Sequence, residues 1–436
     1  MPLWMCIHKF DAGVFTEKIP FMTQETQITN FVKSNNYLIR WQCSVVLFFV
    51  FSLIPLGAKA ATGFQQWISD FYRYAAQNGI KRSVYDQAFE GVTSPDSEVL
   101  KKARYQPEFT SKIWDYLDAR VNPLTIANGQ QMAKQHEQTL AKIEQQFGIN
   151  RFILLAIWSV ESNYGAVLER EERLHYIPQS LATLAYADDR RKKFARSQLI
   201  AALKILQSGD ISTHQLMGSW AGAMGHTQFI PTSYLAYAVD MDKNGSRDIW
   251  NSIPDALATA ANLLKSNGWR TGQTWGFEAK LPANGLQYEG TTKTLAQWEK
   301  LGLTRANGHP FPRPDKKAVL KLMSDADRPA FLMARNFFIL KRYNNSDFYA
   351  LSAGLLADRL AGNEGLIQSW PRPAGSLMVD EKFELQTHLK NLGYYTGEID
   401  GSLGKGSRQA IHMFQTENGL PADGIPSQSI LEALRK

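Results

Sequence analysis

One carboxylate of this 436-residue chain stands apart from the others. Glu161 ends the run Phe152-Ile153-Leu154-Leu155-Ala156-Ile157-Trp158-Ser159-Val160. Burial disfavours a charged carboxylate, and so does the negative end of a helix dipole, so both raise its pKa. A carboxyl group that keeps its proton near neutral pH can serve as a general acid. The competing reading is an ordinary helix-end Glu in solvent. A second candidate stretch is Met217-Gly218-Ser219-Trp220-Ala221-Gly222-Ala223-Met224-Gly225-His226-Thr227-Gln228-Phe229-Ile230-Pro231. Its glycines and small residues let backbone approach either a neighbouring element or a ligand. A third begins at Asp240: Asp240, Asp242, Asn244 and Asp248 stand where a calcium loop places oxygen ligands, with Gly245 at the turn. Asn251 occupies the place of the closing bidentate carboxylate, so an Asx-rich turn before the next helix is the alternative.

These residues need elements to hold them. Asn150 caps the start of a helix that Gly165 closes, and apolar side chains on nearly every turn put that helix inside a domain. Helical periodicity also covers Phe64 to Gly91, Tyr105 to Val121, Asn122 to Gln146 and Ser180 to Leu206. The last of these carries Arg190-Arg191-Lys192-Lys193, a run usually read as a solvated face. Another helix spans residues 254–269. From Thr271 to Arg328 the chain turns to Gly, Pro and short alternating pieces, a small and partly β insertion. The segment Phe331 to Tyr343 is apolar, and Tyr343-Asn344-Asn345-Ser346-Asp347-Phe348-Tyr349-Ala350 opens a helix running to Leu360. Ser369-Trp370-Pro371-Arg372-Pro373-Ala374-Gly375 reads as a linker. Beyond it lie about sixty residues in a helix–turn–helix–loop–helix pattern, near the lower size limit of a domain.

A hydrophobic content of 44% with 20% charged residues is that of a folded protein, not a disordered one. Cys6 and Cys43 both precede or enter an apolar run from Cys43 to Leu56, with Lys33 and Arg40 before it and Ala58-Lys59-Ala60 after it. This is the order of a secretory signal peptide, cleaved after Ala60; a retained membrane anchor is the competing reading. Cleavage leaves no cysteine, which excludes disulfides, thiol catalysis and cysteine-ligated metals. It also leaves 43 Lys and Arg against 38 Asp and Glu, a balance suited to an anionic wall polymer or membrane surface. No Lys/Arg stripe or recognition motif points to nucleic acid.

Over roughly residues 63–364 the chain resembles the lytic murein transglycosylase B family. The likeness rests on Glu161-Ser162-Asn163-Tyr164-Gly165, the Gly218–Gly225 segment with Gln228-Phe229-Ile230-Pro231, the Asp240–Trp250 loop, and Tyr343-Asn344-Asn345-Ser346 with Tyr349-Ala350. The last unit is similar to a peptidoglycan-binding domain, through Leu385-Gln386, Leu392-Gly393-Tyr394-Tyr395, Asp400-Gly401, Phe414-Gln415 and Asp423-Gly424. The resemblance implies a mainly α fold: a goose-lysozyme-like catalytic domain (61–366) with a small β insertion, a linker (367–376) and a three-helix wall-binding domain (377–436). It implies that Glu161 is the sole catalytic acid and base, with Ser219 near it. Tyr116, Arg190, Arg191, Gln228, Tyr343, Asn344 and Tyr349 would line a glycan groove. No cofactor is required, although structural calcium at Asp240, Asp242 and Asn244 would follow the family. The implied reaction cleaves the bond from N-acetylmuramic acid to N-acetylglucosamine and leaves a 1,6-anhydro ring, since the sugar's own C6 hydroxyl replaces water. A muramidase-type hydrolase and a non-catalytic wall-binding scaffold are the alternatives. The expected partner is peptidoglycan, without nucleic acid, with peripheral association to the membrane or to wall-synthesis enzymes. A monomer in the periplasm of a Gram-negative bacterium is expected.

Overall fold

The computed structural model describes residues 56–104, 112–324 and 329–436, with side chains from Gly63 onward. The leader residues Cys6, Lys33, Arg40 and Cys43 lie outside the described residues, as does the start of the stretch expected from Tyr105. Among the described residues, no helix is long and apolar enough to cross a membrane.

Several periodic stretches divide where the sequence reads as continuous. The first is α1 (Leu56–Gln77) and α2 (Arg82–Phe89), parted at Asn78 and Gly79. After α3 (Ser97–Arg104) and α4 (Ile113–Asp118), the expected long amphipathic helix is α5 (Pro123–Gln135) followed by α6 (Glu137–Phe147). The Asn122 side chain and Thr125 cap α5 reciprocally, and Pro123 needs no N–H at the first position. The break falls at His136, whose ring packs edge-on against Trp158 at 5.6 Å, so a tertiary contact decides it.

Next comes α7 (Arg151–Ser162), which carries Glu161. Asn150 Oδ1 accepts the Phe152 N–H at 2.8 Å, as expected of a cap. The helix ends earlier than Gly165: Asn163, Tyr164 and Gly165 all take positive φ (50°, 57° and 95°), with Asn163 as the cap. The chain continues through β1 (His175–Tyr176), α8 (Ile177–Ala187), α9 (Lys192–Ser208), β2 (Met217–Gly218), α10 (Pro231–Tyr237) and α11 (Ile253–Ser266). Between α8 and α9, Asp188 Oδ1 accepts the N–H groups of Arg190 and Arg191, so an Asx turn splits the expected Ser180–Leu206 helix.

The insertion is a five-stranded antiparallel sheet of β3 (Gly276–Lys280), β4 (Thr292–Thr294), β5 (Thr304–Arg305), β6 (Lys317–Leu322) and β7 (Ala330–Met333), in the order β4-β6-β7-β3-β5. With α12 (Leu295–Lys300) it has its own core around Trp298, Phe311 and Leu320. Strand β7 is buried on both faces: Phe331 and Met333 enter the main helical core, Ala330 and Leu332 the sheet core. The two-residue alternation of a strand thereby joins two cores. The chain then returns as α13 (Arg335–Tyr343) and α14 (Asp347–Leu360), the latter capped by Ser346. Every residue of α7 from Ile153 to Ser162 is buried, and α7 packs against α5, α6, α11 and α14. Each fully buried Leu or Ile there contributes about 1.5–3 kcal/mol.

The last unit contains α15 (Val379–Asn391), α16 (Lys405–Glu417) and α17 (Gln428–Leu434) around Leu385, Ile411, Phe414 and Leu431. The segment before it is held down along its length. Glu278 accepts the N–H groups of Ile367 and Gln368 at 2.9 and 2.7 Å, and Trp370 lies 6.3 Å from Phe331. Asp118, just ahead of the site described below, takes Arg372 at 2.7 and 2.8 Å and Lys382 at 2.6 Å, all three side chains largely out of solvent. Asp118→Ala would strand two cations in that pocket, costing about 3 kcal/mol. It should lower the thermal midpoint and speed protease cleavage within residues 367–376; an unchanged cleavage rate would show that this clamp does not hold the segment.

Candidate active site

The helix–helix contact of α7 with α14 makes the site. Glu161 is only 2% exposed, one residue before the end of α7. Tyr349, in the first turn of α14 and itself fully buried, donates its hydroxyl to Glu161 Oε1 at 2.7 Å. Ser346 Oγ accepts the Tyr349 N–H at 3.3 Å and so fixes where that turn begins. The second carboxyl oxygen, Oε2, has no hydrogen-bond partner among the described residues. Burial pushes the Glu161 carboxyl up to about 8; the Tyr349 hydrogen bond and the Arg120 cation oppose that shift without overcoming it.

Tyr343 stacks on Tyr349, with rings 6.2 Å apart and 10° from parallel, and meets Phe229 edge-on at 5.4 Å. Its hydroxyl donates to the Thr227 carbonyl at 2.6 Å. Burial, and next the Glu161 charge, hold both tyrosine hydroxyls well above their ordinary titration range. They remain neutral donors at any physiological pH.

The glycine-rich stretch forms the facing wall. Strand β2 pairs with β1, and bridges from Gly218 to Met224 and from Met224 to Phe229 fold it back on itself. A Cβ on Gly218 would stand 2.1 Å from the Ala223 carbonyl, and one on Gly225 2.3 Å from that of Ile249. Neighbouring backbone therefore explains these two glycines. Ser219 Oγ accepts the N–H groups of Ala221 and Ala223, organising its own turn. Gln228 is held at φ 50°, is 1% exposed, and donates its amide to the Gly225 carbonyl at 2.8 Å. Ser162 Oγ donates to the His226 carbonyl at 2.6 Å, tying the end of α7 to this wall.

A groove of about 1930 Å³ adjoins the site, lined among others by Gln228, Phe229, Tyr343, Asn344 and Arg190. Glu161 and Tyr349 are not among the residues that line it; Tyr349 stacks on Tyr343, which does. Asn344 Oδ1 is buried without a hydrogen-bond partner among the described residues. The two arginines separate. Arg190 is exposed at the groove, whereas Arg191 is buried, donating to Asp188 at 2.6 Å and to the Ala103 carbonyl at 3.2 Å. Arg191 thus serves the α8–α9 turn instead of lining the groove. Tyr116 meets Phe348 edge-on at 5.6 Å and carries the Arg120 guanidinium 3.7 Å over its ring.

Arg120 is the residue that sequence reading misses. It lies past the end of α4 in no motif; only its spacing of four from Tyr116, whose carbonyl it bonds at 3.0 Å, hints at it. Asp255 is the second. It is fully buried in the first turn of α11, and its carboxyl accepts the N–H groups of Met241, Asp242 and Asp248. Ligand atoms of Asp240, Asp242 and Asp255 all lie within 4.8 Å of one another. A third carboxylate of this cluster thus comes from Asp255, four residues after Asn251. Asn251 Nδ2 bonds Asp248 instead, and Asn244 Oδ1 accepts the Ser246 N–H.

Residues 63–358 match the transglycosylase SLT domain family, and residues 381–434 a peptidoglycan binding domain. The chain is 30% identical over 242 residues to the membrane-bound lytic murein transglycosylase B of Escherichia coli, a match covering 55% of this chain and 65% of that protein. Among solved structures, it is similar to SltB3 of Pseudomonas aeruginosa in complex with NAG-anhNAM-pentapeptide, at 43% identity and a TM-score of 0.67, covering 86% of this chain and 99% of that one. It is also similar to the Escherichia coli lytic transglycosylase Slt35 in complex with calcium, at 27% identity and a TM-score of 0.57, covering 68% and 92%.

The buried carboxyl also has a cost that depends on pH. In the folded chain Glu161 binds its proton up to about pH 8, whereas its ordinary value is 4.5. Between those values the native state holds more protons than the unfolded state, so stability falls as pH rises. Glu161→Gln removes this loss. At pH 8 it should raise the thermal midpoint by about 3 °C or more, and near pH 4.5 the difference should vanish. Equal midpoints of the two proteins at pH 8 would contradict the burial argument.

Proposed function

The chain belongs to the transglycosylase SLT domain family, and on that premise we propose that it is a lytic transglycosylase, cleaving the glycosidic bond from N-acetylmuramic acid to N-acetylglucosamine in peptidoglycan. The observation that carries this reading is the buried Glu161 carboxyl, its pKa pushed up to about 8 by burial, with no second carboxylate among the described ionisable groups that shift it. A two-carboxylate hydrolase activates water or forms a glycosyl-enzyme with its second acid. Here one group takes both roles in sequence.

Protonated Glu161 gives its proton to the glycosidic oxygen as the bond to C1 breaks, releasing the N-acetylglucosamine hydroxyl. The resulting carboxylate accepts the Tyr349 hydrogen bond and faces Arg120, and both favour the anion. It then takes the proton of the C6 hydroxyl as that oxygen bonds to C1, which closes the 1,6-anhydro ring and regenerates the acid. An internal hydroxyl has a high effective concentration, so no water need be activated. Asn344 Oδ1 supplies an acceptor for a sugar hydroxyl or N-acetyl N–H, and Gln228, Tyr343 and Arg190 form the walls around the sugar, while Tyr116, which does not line the groove, carries Arg120. Tyr349 acts through Glu161 as a positioning residue, and Ser219 shapes the loop beside it. The C-terminal domain holds the wall polymer while the groove works on it. Export to the periplasm, by a leader cleaved after Ala60, brings the chain to this substrate.

Digestion of purified sacculi tests the reading. The wild-type chain should release muropeptides with anhydro ends, each lighter by one water than a reducing-end product. Glu161→Gln should lower that release at least about 100-fold. Reducing-end products would make the chain a hydrolase, and undiminished release by the variant would remove Glu161 from the chemistry.

Asp240, Asp242 and Asp255 suit a hard, oxygen-liganded cation, which would neutralise three clustered carboxylates and tie the loop to α11. No chemical step depends on it. Calcium at a hundredfold excess over its Kd should stabilise the fold by about 2.7 kcal/mol, seen as a rise in thermal midpoint that Asp255→Asn abolishes. Identical melting in calcium and in chelator would argue against the site.

A further inference from the structure

Tyr349, the donor that touches the Glu161 carboxyl, shares the first turn of α14 with Asp347 and Phe348. Successive residues of a helix point about 100° apart, so these three reach in different directions. Tyr349 meets Glu161 on α7, and Phe348 meets Tyr116 edge-on at 5.6 Å. Asp347 reaches two lysines: Lys341 of α13, whose Nζ lies 2.7 Å from Oδ1, and Lys321 of β6, which donates to Oδ2. Lys321 belongs to the insertion. It stands directly across from Phe331 on β7, and opposed residues of an antiparallel pair share a face. Phe331 enters the main helical core, so Lys321 faces the helices, whereas Leu320 beside it belongs to the core of the sheet.

Helix stability alone does not call for this arrangement. An Asp in the first turn suits the helix dipole even when it faces water, and Ser346 already caps the same helix. Exposed ion pairs add little to stability. Here the three side chains are no more than 30% exposed. Burial by itself would raise the Asp347 carboxyl, but its bonds to Lys321 and Lys341 bring it below the ordinary range, so it stays an anion. Two cations from different elements thus converge on one anion and fix both the advance and the rotation of α14. A displacement of about 1 Å in that turn would carry the 2.7 Å contact of Tyr349 with Glu161 past hydrogen-bond range.

We propose that Asp347 is a positioning residue of the reaction: clamped between Lys321 and Lys341, it sets the turn that brings the Tyr349 hydroxyl to Glu161. The β insertion thereby braces the catalytic carboxyl through Lys321. This role rests on the lytic transglycosylase reading, in which Tyr349 stabilises the Glu161 anion left by the first proton transfer.

Titration of the Glu161 carboxyl, followed by carbon-13 NMR in the full chain and assigned by its loss in Glu161→Gln, tests the clamp without turnover. Asp347→Asn removes a negative charge, which through space would lower the Glu161 midpoint. Loss of the Tyr349 hydrogen bond to the anion would instead raise it. Positioning therefore predicts a midpoint above the wild-type value of about 8, by about half a pH unit or more. The alkaline limb of kcat/KM on soluble glycan strands should move with it. Tyr349→Phe should give a similar rise, and adding Asp347→Asn to that variant should raise the midpoint no further. Lys321→Met should act like Asp347→Asn, and Lys321→Arg should keep the wild-type value. An unchanged or lowered midpoint in Asp347→Asn, or a further rise in the double variant, would overturn the proposal and leave a structural ion pair. Should Asp347→Asn fail to fold, Lys321→Met must still show the rise. The predicted midpoints in chains that release no anhydro ends would instead overturn the reaction itself.

Discussion

The structure is arranged around one carboxyl group withheld from water. A charged Glu161 in that setting is disfavoured because low-dielectric surroundings return none of its hydration. The protein neither abolishes this penalty nor leaves it unopposed. The phenol of Tyr349 and the guanidinium of Arg120 offset part of it, which leaves the carboxyl near 8 and able to cycle between both forms. With several more donors the group would be a permanent anion, and with none it would be an inert acid. The buried helix α7, wrapped by four others, holds that balance still.

Local strain surrounds the carboxyl and is contained by packing. Asn163, Tyr164 and Gln228 all occupy the left-handed region, which side chains other than glycine enter at a cost. The Ser162–His226 and Tyr343–Thr227 hydrogen bonds lock the two strained turns to each other and to α13. The C-terminal domain is coupled to the same place. Asp118, which holds Arg372 and Lys382, lies two residues from both Tyr116 and Arg120. The peptidoglycan-binding domain is thus fastened next to Tyr116 and Arg120, the cation that faces Glu161.

Much of the fold is legible in residue patterns, and the misreadings share a cause. Apolar periodicity marks α7, α11 and α14, and the change in character after Thr271 marks the sheet. The breaks at His136 and Asp188 go unread because no proline signals them. A ring packed on Trp158 makes the first, and an Asx turn bonded to two backbone N–H groups makes the second. Glu161 is visible because a lone carboxylate in an apolar helix is rare. Arg120 and Asp255 are not, because ordinary charged residues acquire meaning only from what folds against them.

The sequence by itself singled out Glu161 as the carboxyl group set in an apolar helix, and marked where the helices around it lie. Those properties come from side-chain periodicity along the chain, which is local. Only the tertiary structure decided that Tyr349 holds Glu161 instead of touching the groove, that Arg191 braces a turn while Arg190 faces solvent, and that Asp255 completes the acidic cluster. Each of these depends on the distance between residues remote in sequence or on the direction of a single side chain, and neither quantity is encoded in local periodicity.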